Sequence, residues 1–347
     1  MSNCATRRML KQPVPGKSEV VALSPGNGQE ADLPAGLAYL EARLGRVHLR
    51  QRLGIEADHS ADAFGHGRTF FHVENWTLMH RLLRALLKGL GLYQRGLRNA
   101  QNIQIRHHRV ALAHLPPAFE NFTLLHLSDL HLDMHDSFPE ALVERLRRVD
   151  YDICVLTGDF RARTFGDFAG AVAAFEWVRP HLRGPVYGIL GNHDTIHLVP
   201  ALERMGVRML LNEAIAISRE GTEIWLAGID DPHYFRTENF DRAVQEVPAE
   251  AVTILLSHSP EPYRRAVYAG IDLMLSGHTH GGQICLPGGV ALMTNADAPR
   301  AFCAGPWRYN GMQGYTSVGS GSSIVDVRFN CPPEITLHTL CRAEGHG

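Results

Sequence analysis

No apolar run in this 347-residue chain approaches the roughly 18 residues needed to span a bilayer. No Cys-x-x-Cys pair occurs among Cys4, Cys154, Cys285, Cys303, Cys331 and Cys341, which argues against a thiolate metal site or a dithiol redox centre. The scattered cysteines, with Cys154 inside an apolar strand run, read as reduced thiols and favour a cytosolic compartment. There is no low-complexity tract and no internal repeat, which excludes a solenoid. Net charge is also scarce, at −2.

That near-neutral total hides an asymmetry. Residues 1–110 carry 16 Lys and Arg against 8 Asp and Glu, and the remainder 18 against 28. A basic front on an acidic body suggests a surface that meets anions, either lipid headgroups or nucleic acid. Residues 1–33, rich in Pro, Gly, Ser and Gln, are expected to form a loose tail. Within them Thr6-Arg7-Arg8-Met9-Leu10-Lys11 resembles a twin-arginine export signal, but Gln12-Pro13-Val14-Pro15-Gly16-Lys17 supplies no apolar region behind it. A helical extension is expected over 34–104 and the main α/β domain over 105–345.

In the extension, Leu37, Leu40, Leu44 and Val47 recur at helical spacing, ahead of a loop with Gly65 and Gly67. The clearest amphipathic helix is expected over 75–99. Met79, Leu82, Leu83, Leu86, Leu87 and Leu90 form its apolar stripe, opposed by Arg81, Arg84, Lys88, Arg95 and Arg98, with Trp76 and Tyr93 at the flanks. The combination suits an interfacial membrane helix. A helix packed on the catalytic body with a solvated basic face satisfies the same pattern.

Beyond residue 105, apolar strand runs alternate with helical stretches. The strand runs are 122–127, 153–156, 186–190, 223–229, 253–256 and 271–275, with further short strands over 301–341, ending in 335–340. This is the signature of an α/β fold with buried strands. Five polar clusters follow five of those runs: Asp129-Leu-His131, Gly158-Asp159, Gly191-Asn-His193-Asp194, Ser257-His258 and Gly277-His278-Thr-His280. Ligands of open α/β sheets bind at the carboxyl ends of strands, so these clusters can converge. Asp129, His131, Asp159, Asn192, His258, His278 and His280 then offer seven oxygen or imidazole donors. That is one too few for two separate tetrahedral metals and the right number if one carboxylate bridges. The donor types suit Mn, Fe or Zn. Singly, each cluster also reads as a polar turn or cap; His126, inside a strand run, reads as a hydrogen-bonded core histidine.

The order of these clusters resembles the binuclear calcineurin-like metallophosphoesterases over roughly residues 120–285. Ser128-Asp-Leu-His-Leu132, Thr157-Gly-Asp-Phe160, Gly228-Ile-Asp-Asp-Pro232 and Leu275-Ser-Gly-His-Thr-His-Gly-Gly-Gln283 are similar to the bacterial membrane-associated phosphodiesterase branch, which includes UDP-2,3-diacylglucosamine pyrophosphatase-like proteins. The resemblance implies a four-layer α/β/β/α sandwich of two mixed sheets. It implies two divalent ions, Mn foremost, with Asp129, His131 and His280 on the first, Asn192, His258 and His278 on the second, and Asp159 bridging. A metal-bridging hydroxide would attack the phosphorus. His193 would meet the phosphate or protonate the leaving oxygen, with Asp194 fixing its tautomer. Arg161 and Arg163 stand where they could clamp a second phosphate, although an exposed pair reads equally well. Asp230-Asp231 read as structural support.

The function so implied is hydrolysis of a phosphodiester or pyrophosphate, on a lipid-linked or nucleotide-activated substrate at the inner face of the cytoplasmic membrane, with an anionic bilayer as peripheral partner. A protein phosphatase of the same superfamily would carry Gly-Asp-x-x-Asp-Arg-Gly where this chain has Gly158-Asp-Phe-Arg-Ala-Arg-Thr164. A non-catalytic phosphate-binding scaffold would have lost ligands, and none is lost. A nuclease is disfavoured because the basic region is leucine-striped and poor in aromatics for stacking bases.

Overall fold

The computed structural model describes residues 36–64 and 77–343, with side chains from 36–59 and 82–343. The N-terminal tail with its arginine pair, Cys4, the Gly65 and Gly67 loop and Trp76 lie outside the described residues, as do the side chains of Met79 and Arg81.

Two six-stranded mixed sheets face each other. The first runs β1 (Gln104–Leu112), β14 (Glu334–Arg342), β2 (Thr123–Leu127), β3 (Ile153–Leu156), β4 (Val186–Gly188), β5 (Val207–Met209) across its width. The second runs β12 (Gly305–Tyr309), β13 (Met312–Thr316), β9 (Leu273–Ser276), β8 (Thr253–Leu256), β7 (Thr222–Gly228), β6 (Glu213–Arg219). The central strands β2 to β5 and β7 to β9 run parallel, as helical crossovers dictate, and antiparallel pairs join β14 to β2, β6 to β7 and β12 to β13. A short hairpin, β10 (Cys285–Leu286) and β11 (Val290–Ala291), stands apart.

Three apolar clusters separate the layers. Leu124, Val155, Leu226, Ile254, Leu275 and Leu340 fill the space between the sheets. The outer face of the first sheet packs against α5 (Phe138–Leu146), α6 (Ala169–Val178) and α7 (Val199–Arg204). The outer face of the second packs against α8 (Phe240–Ala243) and α9 (Tyr263–Tyr268). The architecture is the α/β/β/α sandwich. Strands with continuous apolar runs, such as Ile153–Leu156, are buried at every position because both faces are covered.

The N-terminal helices α1 (Ala38–Leu44) and α2 (Arg46–Phe64) extend the first of these layers. Leu37, Leu40, Leu44, Leu49 and Leu53 join the same buried cluster as Leu125, Leu156 and Phe175. The stretch read as one helix over 75–99 is two: α3 (Thr77–Gly89) and α4 (Tyr93–Gln101). They break where Gly91 takes φ +69°, a conformation that glycine adopts without penalty.

Candidate metal centre

The seven expected donors come together. β2 delivers Asp129 and His131, β3 Asp159, β4 Asn192, β8 His258 and β9 His278 and His280, all buried. His131 Nε2 lies 3.2 Å from His280 Nε2 and 3.7 Å from Asp159 Oδ2, and His280 Nε2 lies 3.5 Å from Asp129 Oδ1. On the other side of Asp159, His258 Nε2 stands 3.3 Å from the same Oδ2. Asn192 Oδ1 sits 2.8 Å from both His258 Nε2 and His278 Nδ1. Asp159 is thus within reach of both groups of donors, and Asp129 also lies within 4.8 Å of Asp159 and His258.

The loops are forced into this arrangement. Asp129, His131, Asp159, His278 and His280 all hold positive φ, from 41° to 70°, at a cost of about 1–3 kcal/mol each for residues with a Cβ. Two glycines let the loops close. A Cβ on Gly277 would fall 1.8 Å from Ser128 Oγ and 2.3 Å from Asp129 Oδ2, and one on Gly191 would fall 2.3 Å from Asp159 Oδ1.

The donor chemistry fits divalent cations. His131 Nδ1 bonds Arg161 O at 2.8 Å, His258 Nδ1 bonds Thr157 O at 2.7 Å, and His278 Nε2 bonds Asn295 O at 2.7 Å. Each carbonyl accepts the proton of the nitrogen it faces, so on His131 and His278 the other nitrogen faces inward as a lone pair, and on His258 a cation would take the place of the second proton. Lone pairs aimed at the Asn192 oxygen and the Asp159 carboxylate call for positive charge between them. The titration behaviour agrees. Burial pushes the Asp159 carboxyl up to about 7, against the pull of His258. Burial also raises Asp129. It holds His131 down to about 3, and His278 and His280 well below the usual imidazole range. His258 runs the other way: burial disfavours its proton, but Asp159 and then Asp129 hold it well above normal. A protonated His258 supplies part of the charge that a cation would bring.

His193 lies outside both groups of donors. Its Nε2 is 4.0 Å from Asp159 Oδ2, and its Nδ1 is 3.3 Å from Thr164 Oγ1. Asp194 was expected to orient that ring, and its carboxylate is engaged elsewhere. It accepts the backbone N–H groups of Asp159, Phe160 and Gly191 at 2.7, 2.9 and 2.9 Å, tying the loops after β3 and β4 together. The expected phosphate clamp of Arg161 is likewise corrected. Arg161 is buried and its guanidinium donates to the carbonyls of His193, Thr164 and Gly166, which leaves it committed to the loop. Arg163 is exposed.

Two buried arginines escaped sequence reasoning. Arg52, on α2, donates to Asp194 O at 2.8 Å and pairs with Asp230 and Glu56. Glu56 in turn accepts from Thr195 Oγ1 and the Ile196 N–H. Arg328 meets His280 Nδ1 at 3.1 Å and the carbonyls of Val318 and Gly321. Neither lies in a motif, and nothing local distinguishes them from the other basic residues. Asp230 and Asp231 are the structural support expected: Asp231 accepts the N–H groups of His233, Tyr234 and Phe235. His126 bonds His338 and Thr157 in the core, as read.

Residues 122–282 match the family model described as calcineurin-like phosphoesterase. The metallophosphoesterase YkoQ of Bacillus subtilis is 30% identical over 253 residues, covering 70% of this chain and 92% of its own. The chain belongs to the calcineurin-like phosphoesterase family. It is therefore a hydrolase of phosphoester bonds that depends on metal. Among other relatives, the phosphodiesterase YaeI of Escherichia coli is 28% identical over 235 residues, covering 63% of this chain and 82% of its own. A bovine transmembrane protein with a metallophosphoesterase domain is 31% identical over 196 residues, or 50% of this chain and 44% of that one.

Proposed function

We propose that this phosphoesterase hydrolyses a phosphodiester or pyrophosphate bond of an amphiphilic, lipid-linked or nucleotide-activated substrate at a membrane surface. The observation that carries the chemistry is the convergence of two donor groups on Asp159 with the His193 ring beside them. Asp129, His131 and His280 would hold one cation, and Asn192, His258 and His278 the other, with Asp159 shared; the donor types suit Mn, Fe or Zn, Mn being the ion the family resemblance puts first. Divalent cations bound there would acidify water and neutralise charge developing on the phosphoryl oxygens.

The protein's own groups do the rest. His193 reaches the substrate phosphoryl group through Nε2 and passes a proton to the leaving oxygen. Burial first, then His131, His258 and Arg161, hold it well below the usual imidazole range when the site is empty of anion. An anionic diester arriving beside it favours the protonated form. Thr164 takes the orienting part expected of Asp194. With Arg161 committed to carbonyls, only exposed Arg163 of the two expected arginines is left to meet a phosphomonoester dianion, which supports a diester over a monoester.

Support for the membrane surface comes from α3. Leu83 and Leu87 pack inward against Val325 and Val327, whereas Leu82, Leu86 and Leu90 are 62, 58 and 61% exposed. The inner leucines pack on the body, and the outer three leave an exposed aliphatic face that supports the membrane reading. Among the described residues no helix is long and apolar enough to cross a membrane. The test is purified protein with Mn, assayed side by side on an aryl phosphodiester, an aryl monoester and UDP-diacylglucosamine. Faster diester than monoester hydrolysis is expected. A strong monoester preference moves the function to a phosphatase.

A further inference from the structure

The hairpin of β10 and β11 and the residues just after it expose a run of apolar side chains. Leu286, Val290, Leu292 and Met293 are between 48 and 65% exposed. The turn between its strands holds Gly288 and Gly289 at φ +86° and +76°, so it projects as a tight ribbon. Its inner side belongs to the candidate centre. A Cβ on Gly282, two residues past His280, would fall 2.6 Å from Ala291 Cβ and 3.0 Å from Met293 O. Two residues further on, Asn295 O accepts from His278.

The hairpin and α3 share a mount. Ile284, at the foot of the hairpin, lies in one small apolar cluster with Leu83, Leu87, Val325 and Val327. It bridges to Phe329, and Asn330 Nδ2 donates to Cys285 O at 2.8 Å. Two exposed aliphatic elements thus sit on one segment, 324–330, at the rim of the centre.

We infer that the hairpin and the outer face of α3 form one lipid-contacting surface that seats the centre on an anionic bilayer, with substrate phosphate reached at headgroup level. This rests on the phosphoesterase reading above and deepens it. The occupant is lipid for two reasons. The exposed large apolar side chains of the two elements are aliphatic, without the Trp and Tyr anchors that carry protein interfaces. Cations lie alongside them: Lys88 on α3 is exposed, and exposed Arg300 donates to Ala291 O at 2.9 Å beneath the hairpin. An aliphatic tip with a basic collar suits the boundary between acyl chains and anionic headgroups.

The experiment uses the full metal-loaded chain and vesicles of phosphatidylcholine with one quarter phosphatidylglycerol. Wild type should sediment with them at low salt and be partly released at high salt. Leu286→Ser with Leu292→Ser should cut vesicle binding by an order of magnitude or more, with the soluble aryl diester hydrolysed as before. Leu292→Trp, read with brominated lipids, should be quenched on vesicle binding. Unchanged binding by the double variant, or no quenching, overturns the inference. So does loss of soluble diester hydrolysis, which would make the hairpin a wall of the centre only, and so does a change of oligomeric state without vesicles, which would make the face a protein contact. Intact vesicle binding with no diester hydrolysis by wild type would instead sink the phosphoesterase substrate reading and leave the surface standing.

Discussion

At the scale of single residues, the centre separates two kinds of histidine. His280 faces Asp129 and His131 with its Nε2, whereas His193 only approaches Asp159 at 4.0 Å. Purified wild type should hold close to two metal equivalents by elemental analysis. His193→Ala should keep both and lose about 10²–10⁴-fold in turnover, the usual worth of a positioned acid or base. His280→Ala should lose metal along with activity. If His193→Ala also strips metal, the division between ligand and proton carrier is wrong. Asp194→Asn tests the corrected role: with its carboxylate engaged by three backbone N–H groups, the variant should lose about 1–3 kcal/mol of stability in urea unfolding. The seven donors were legible because each follows an apolar strand run in a recognisable order. Thr164 was not, since its contact with His193 depends on a loop shaped by Arg161, through three carbonyls, and by Asp133, which accepts the Ala162 N–H.

At the scale of elements, α2 is part of the centre's support although Arg52 and Glu56 precede the Asp194 loop they hold by about 140 residues. Arg52 reaches Asp194 O and Asp230, and Glu56 reaches Thr195 and Ile196. Asp230 answers this: burial would raise its carboxyl, but Arg52 and then His48 hold it well below the usual range. Arg52→Leu should therefore cost about 3–5 kcal/mol, because a buried carboxylate loses its partner. A double variant with Asp230→Asn should recover much of that loss in denaturant unfolding; equal losses in single and double variants would show that the pair is not coupled. On α3 the two faces predict opposite outcomes. Leu82, Leu86 and Leu90 changed together to Ser should abolish sedimentation with anionic vesicles while leaving the fold and soluble diester hydrolysis intact. Leu87→Ser, on the buried face, should instead destabilise by about 2–5 kcal/mol. If the triple variant unfolds the protein, the outer stripe is a core face. The strands β3 and β8 were readable to the residue from their continuous apolar runs. β1 was not, because Arg106, His107, His108 and Arg109 break any apolar pattern at the sheet edge, where only one side is covered. The hairpin was missed too: two-residue strands leave no periodicity to read.

At the scale of the whole molecule, the two sheets meet over an interior that is not purely apolar. His108 and His338 approach Nδ1 to Nδ1 at 3.0 Å, His338 meets His126 at 3.2 Å, and His126 meets Thr157 Oγ1 at 2.9 Å. Tyr315, from the second sheet, lies against all three rings. Burial holds His126 down to about 3, and burial with His126 and His108 holds His338 well below its usual range. A lowered imidazole pKa in the fold means that the unfolded chain binds the proton first. The stability contributed by these two neutral rings is full above the unfolded value near 6.5 and is lost as pH falls from there, for His126 towards about 3. Each ring should steepen the loss by up to about 1.4 kcal/mol per pH unit in that window. The candidate ligands titrate as well, with Asp159 acting in the opposite sense: stability from its raised pKa is lost as pH rises through about 7. Comparing two chelator-treated proteins cancels those shared contributions. His126→Asn with His338→Asn should be less stable than wild type at pH 7.5, and its urea midpoint should fall less between pH 7.5 and 5.5. Parallel curves for the two proteins would show that the ring chain between the sheets carries no proton linkage, and that acid sensitivity belongs to the metal centre alone.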